Sequence, residues 1–122
     1  MFRVKLRKAD ILFSEYIRRK AGWKCEACGK DYSNNHRGLH CSHYFSRSHE
    51  STRYDLDNAL ALCFYHHNLW GHGEGRDLYK EYMIKRLGQE GFDNLTLRAN
   101  LYAKRDDFSA EMVLKSMLGE LK

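Results

Sequence analysis

Residues 40–68 read HCSHYFSRSHESTRYDLDNALALCFYHHN, a stretch that closes on Cys63-x-x-His66, the second of two short ligand pairs in the chain; the first is Cys25-x-x-Cys28. All four cysteines fall between positions 25 and 63, and all seven histidines between 36 and 72. Two pairs at this spacing can converge on one tetrahedral Zn²⁺. Cys25, Cys28, Cys63 and His66 are therefore the expected structural zinc ligands. Cys41 is the leftover thiol and the alternative to His66, although a mid-strand cysteine lacks a paired ligand two residues on. The bland alternative is a set of reduced core cysteines and surface histidines. The segment between the pairs, residues 29–62, is too long for an ordinary finger, whose pairs lie about a dozen residues apart. A zinc ion here would close a large loop, and metal ligation would replace part of the apolar core of an irregular region running from Gly22 to Gly75.

Working outward, 122 residues suit one compact domain with appendages. Its expected parts are a basic N-terminal helical segment (1–24), a zinc-organised core (25–75) and a helical C-terminal part (76–122). Charged residues make up 30% of the chain and no apolar run reaches spanning length, which argues against a membrane protein. The opening MFRVKLRKAD is basic but has neither the apolar stretch nor the cleavage site of a secretory signal, so the expected location is the cytoplasm. Disulfides are rare there, which favours metal for the cysteines. Of the net charge of +5, residues 1–24 contribute +6, with eight lysines and arginines against Asp10 and Glu15. A basic segment suits a polyanion, or is a solvated face.

Residues 9–20 place Ile11, Leu12 and Tyr16 at helical spacing, with Asp10 at the N-terminal end. Gly38 to Tyr44 is the one convincing strand, with Leu39, Cys41 and His43 on one face and His40, Ser42 and Tyr44 on the other. Ala59 to Trp70 reads as a short turn followed by a helix stopping at Gly71. Asp77–Leu87, Asp93–Lys104 and Ser109–Leu121 read as three helices, separated by GQEG and RDD. The fold class is α+β.

The stretch between the pairs resembles the motif of the HNH endonucleases. It is also similar to phage NinG (Rap)-type recombination endonucleases, through His43-Tyr44, Ser46-Arg47, Thr52-Arg53-Tyr54-Asp55, Asn58, Cys63, His67 and Leu87-Gly88. FSEYIRRKAGWKCEACGK resembles the helix and first knuckle that precede the motif, so the likeness covers about residues 9–88. There are two departures. His66 stands where a fourth cysteine is usual, which zinc tolerates, and Ser42 stands where many HNH proteins carry a metal-binding Asp.

The resemblance implies a treble-clef-like ββα-metal core with flanking helices, and a metal-dependent DNA endonuclease acting on branched or recombining DNA. It assigns catalysis to His43, Asn58 and His67. His43 would be the general base. Asn58 would either orient that base through the loop backbone or touch the metal. His67 would bind a catalytic Mg²⁺ or Mn²⁺ acting as a Lewis acid, with His72 as second ligand or, on the bland reading, an exposed residue in a glycine-rich turn. Arg47 and Arg53 are candidates for bidentate phosphate contacts in DNA binding or, on the bland reading, solvated surface arginines. The alternative is a catalytically inactive, zinc-stabilised nucleic-acid-binding module; a zinc-organised protein-interaction domain is a third. A junction-cutting enzyme would act as a homodimer, for which the helices from 93 to 121 could supply an interface, or these could equally cover the core. His36, His40 and His49 receive no role.

Overall fold

The computed structural model describes residues 5–121; of the basic N-terminal segment, positions 1–4 lie outside the described residues. Helix α1 (Lys8–Lys20) forms because Ala9, Phe13, Tyr16 and Ile17 recur at three- and four-residue steps and bury one stripe. Asp10 accepts a hydrogen bond from the Arg7 backbone N–H at 2.7 Å, and Arg18, Arg19 and Lys20 sit at the carboxyl end, where cations offset the helix dipole. Ile11, expected on the apolar stripe, is exposed.

Strand β1 (Leu39–His43) pairs antiparallel with β2 (Ala59–Cys63), Leu39 opposite Cys63 and His43 opposite Ala59. The second strand corrects the reading of residues from Ala59 as a turn. All five residues of ALALC are buried, so the segment lacks the alternation that marks a half-exposed strand. Helix α2 (Phe64–Gly71) follows at once, with Cys63 as its N-cap.

Helix α3 (Gly75–Ala99) begins against the end of α2: a Cβ on Gly75 would lie 1.5 Å from the Leu69 carbonyl oxygen, so only glycine fits. The expected break at GQEG is a kink instead. Gly88 takes φ 78° and the helix resumes on its far side. The predicted helix 93–104 stops early at Ala99, where Asn100 turns its side-chain amide back to the Thr96 carbonyl. Helix α4 (Asp107–Glu120) starts at Asp106, whose carboxylate accepts from the Ser109 N–H.

Among the described residues the fold is α+β, four α-helices and one two-stranded sheet. Helix α1 covers one face of the sheet and carries α4 on its outer side, while α2 covers the other, with α3 packed on α2 and reaching β1 through Tyr79. The alternation read for β1 holds. His43 meets Phe13 of α1, whereas His40 faces His67 of α2 and Ser42 faces Tyr79 of α3. No described helix is long and apolar enough to cross a membrane.

Candidate metal centre and histidine site

The four expected zinc ligands come together. One ligand atom from each of Cys25, Cys28, Cys63 and His66 lies within 4.8 Å of the others. Cys28 Sγ is 4.0 Å from Cys63 Sγ, and Cys63 Sγ is 3.3 Å from His66 Nδ1. A tetrahedral ion with Zn–S bonds of about 2.3 Å separates its sulfurs by about 3.8 Å, so the cluster could hold a structural zinc ion.

Strand β2 aligns the two pairs: Glu26 N–H donates to the Ala61 carbonyl at 2.8 Å, and the Glu26 carboxylate accepts from Ala61 N–H at 2.7 Å. Burial opposes ionisation of Cys25, yet backbone N–H groups of Cys63, Cys28 and Ala27 outweigh it and draw the thiol below its usual range, toward the ligand form. Cys41 is outside the cluster. The packing around it pushes its thiol up to about 12, which leaves it protonated and a poor ligand.

His43 ends β1. Its Nε2 lies 3.0 Å from the Arg53 carbonyl oxygen, and since a carbonyl only accepts, Nε2 carries the proton and Nδ1 the lone pair. Burial first, and the nearby charge of Arg47, lower its pKa to about 4, so the ring is neutral at neutral pH.

Asn58 supports this arrangement from behind. It is fully buried, its Oδ1 accepts from Phe45 N–H at 2.8 Å, and its Nδ2 donates to the carbonyls of Phe45 (2.9 Å) and Thr52 (3.1 Å). Asn58 straps the loop that delivers the Arg53 carbonyl to His43.

Arg53 requires a correction. Only 1% exposed, it directs Nε and Nη2 to the two oxygens of Asp10 at 2.9 and 2.5 Å, and its remaining bonds go to the carbonyls of Arg47 and Lys5. Its fork is filled from within the protein, so no phosphate reaches it. Arg47 differs. Its side chain is 33% exposed, and its nearest carboxylate, Asp10 at 3.9 Å, is already engaged by Arg53.

His67, on α2, stacks on His40 with centroids 5.2 Å apart and planes 7° from parallel. Its Nδ1 is buried without a hydrogen-bond partner. Burial, followed by the influence of His40 and His72, lowers its pKa. His43 and His67 together line two cavities that meet at them. One, on the α1 side, includes Arg18, Arg37, His40 and Arg47; the other, on the α3 side, includes His49, Arg76 and Tyr79. His72 lies at the exposed end of α2 and lines neither.

Comparison of the chain with protein-family models, curated proteins and solved structures returns no match.

Ser42, Tyr79 and Asp10, buried polar groups of the same two cavities, are committed to partners within the protein. Ser42 Oγ is 2.9 Å from the Tyr79 hydroxyl and buried with it, and the Asp10 carboxylate is held by Arg53. Among the described residues no uncommitted carboxylate lines either cavity. Sequence reasoning had no signal for three residues here. His49 donates Nδ1–H to the Ala99 carbonyl at 2.9 Å, half the chain away; Arg76 and Tyr79 reach the site from a helix that the HNH motif does not assign.

Proposed function

We propose that the chain is a metal-dependent DNA endonuclease of the HNH type, with a zinc-stapled ββα-metal core formed by β1, β2 and α2 and with His43 as general base. The observation that carries this reading is the fixed tautomer of His43, whose Nε2–H is tied to the Arg53 carbonyl. That leaves Nδ1 as the acceptor on a ring lining both cavities with His67. Further support is the order of parts: a strand ending in His43, a loop strapped by Asn58, a second strand ending in a zinc ligand, and His67 on the next helix.

In this mechanism a water gives a proton to His43 Nδ1 as its oxygen bonds to phosphorus. The bond from phosphorus to the leaving sugar oxygen breaks, and that oxygen takes a proton from solvent. A Mg²⁺ or Mn²⁺ ion held by His67 would neutralise charge on the phosphate as a Lewis acid. Arg47 is the phosphate contact retained from the sequence; Arg53 supports the loop instead. By the NinG likeness the substrate is branched or recombining DNA, cut by a homodimer, with exposed Phe108, Met112 and Val113 of α4 as the apolar face for pairing.

The second reading, a zinc-stabilised nucleic-acid-binding module without catalysis, is favoured by Ser42. Its hydroxyl is spent on Tyr79, at the position where many HNH proteins place a metal-binding Asp. One experiment separates the two. Supercoiled plasmid and a synthetic four-way junction are incubated with zinc-loaded protein, with and without Mg²⁺ or Mn²⁺, beside His43→Ala of verified fold. Metal-dependent cutting that the variant lacks is expected; binding without cutting under any metal would transfer the assignment to the binding module.

A further inference from the structure

The arginines of this protein divide into two groups. Arg7, Arg19, Arg47, Arg53, Arg98 and Arg105 each have a carboxylate within 4.0 Å. Among the described residues, Arg18, Arg37, Arg76 and Arg86 have none. Three of these four line the two cavities that meet at His43 and His67, with Arg18 and Arg37 in one and Arg76 in the other. Arg86 lies apart, beside Glu26 and Asp57.

Arg76 is held in place without being neutralised. Its guanidinium carbon stands 4.5 Å from the Tyr44 ring centroid and 5.5 Å from that of Tyr79, and Nη2 donates to the Tyr44 carbonyl at 3.1 Å. Arg18 is fixed in the same manner, by the carbonyls of Ser14 and His36 and by the face of Trp23 at 5.1 Å. A guanidinium carries five N–H donors; Arg76 spends one and Arg18 two. Stacking and carbonyl bonds limit rotamer freedom, so little entropy remains to be lost when an anion arrives.

The row extends beyond one phosphate. The α1-side cavity shares Leu6 and Arg47 with a third, which adds Lys5, whereas the Arg7, Lys8 and Arg105 of that third cavity are already paired with Glu50, Glu111 and Asp107. A single small anion has no use for uncommitted arginines spread over two adjoining cavities, whereas a phosphodiester chain has.

We infer that Arg18 and Arg37 on one side of His43, and Arg76 on the other, are phosphate-positioning residues that carry one DNA strand across the paired cavities. The inference rests on the endonuclease reading for where the strand is cut, but not for where it is bound. In its geometry the phosphate at His43 is flanked by Arg18 and Arg37 toward α1 and by Arg76 toward α3.

The test is fluorescence anisotropy with a labelled four-way junction and a labelled duplex. Zinc-loaded protein is used without Mg²⁺ or Mn²⁺, over a range of salt concentrations. Arg76→Ala should weaken binding about five- to tenfold and reduce the slope of log K against log salt by about one. Arg76→Lys, which keeps the charge but loses the planar fork, should retain the slope and recover part of the affinity. Arg18→Ala and Arg37→Ala should behave as Arg76→Ala does. Arg86→Ala, the remote unpaired arginine, should match wild type.

Because Arg76 packs on two tyrosines, each variant's thermal transition is recorded, and the salt slope separates a lost phosphate contact from a loosened fold. Wild-type affinity and slope in folded Arg76→Ala would overturn the inference while leaving catalysis by His43 standing. If wild type cuts no DNA under any metal but the arginine variants lose affinity and slope as expected, the endonuclease reading falls and the strand path stands.

Discussion

Asp10 and Arg53 illustrate how far a residue's role can depend on its surroundings. A carboxylate and a guanidinium that would each be unremarked at a surface form here a bidentate pair under 5% exposed, joining α1 to the loop between the strands. Removing one partner strands the other in a poorly solvated place. Arg53→Met is expected to cost about 3–5 kcal/mol in urea unfolding, as is typical of breaking a buried pair, whereas Arg47→Ala should cost little. The pair also sets an acid limit. Burial opposes ionisation of Asp10, but Arg53 and the Arg7 N–H prevail and hold its pKa below the usual range. Its stabilising contribution is therefore present above the ordinary carboxylate pKa and lost as pH falls through the lowered value.

His43 acts in the same direction at higher pH. Burial lowers its pKa from 6.5 to about 4, so between those values the unfolded chain binds more protons and stability falls on acidification. The contribution is at most about 3 kcal/mol. Unfolding curves from pH 7 to pH 4 should show a shallower decline for His43→Gln than for wild type. On the proposed mechanism the neutral ring is the active form, so a pH–rate profile should keep its activity through pH 6.5 and lose it only near pH 4. An acid limb at 6.5 would remove His43 as the buried base.

At the scale of elements, the loop between β1 and β2 is the part most dependent on one side chain. Asn58 satisfies the N–H and the carbonyl of Phe45, which have no other partner among the described residues, and adds a second bond to the Thr52 carbonyl, which also accepts from Asp55 N–H. Asn58→Ala should destabilise by about 2–4 kcal/mol, from buried polar groups left unpaired. Hydrogen exchange should quicken across residues 44–58 before it does in α3 and, on the proposed mechanism, cutting should decline. The HNH spacing locates Asn58; whether its amide faces a cation or the backbone depends on where Phe45 and Thr52 lie after the loop has closed.

For the molecule as a whole, the Cys₃His cluster is the element with the longest reach, because it joins the first knuckle, β2 and α2 across residues 25–66. Chelation should lower the thermal transition and broaden it, and zinc should restore it. Co²⁺ in its place should give thiolate charge-transfer bands, unchanged in Cys41→Ala and altered in His66→Ala. The reverse pattern would make Cys41 the fourth ligand. Away from this cluster, α4 is tied to the rest by Leu114 in the core and by Arg7, which bridges Glu50 and Asp107.

The two ligand pairs, the strand read over residues 38–44 and the helix read over residues 9–20 were legible in the sequence because each depends on local spacing: two residues between paired ligands, alternation along a strand, a 3.6-residue stripe along a helix. Strand β2 was not, because burial of every residue erases the alternation that identifies a strand. Nor was the fate of Arg53. Side-chain chemistry equips an arginine for phosphate, but only the docking of α1 brings Asp10 to it, and a carboxylate already inside the fold outcompetes any ligand from solvent. The converse holds for Arg76, which lies outside the motif. Its place beside His43 and His67 exists only because α3 packs on α2 and reaches β1, bringing the Tyr44 and Tyr79 rings and a backbone carbonyl to a guanidinium and leaving its charge unpaired. Spacing along the chain determined which groups can share a metal; packing between elements decided which charges are spent inside the protein and which remain for a partner.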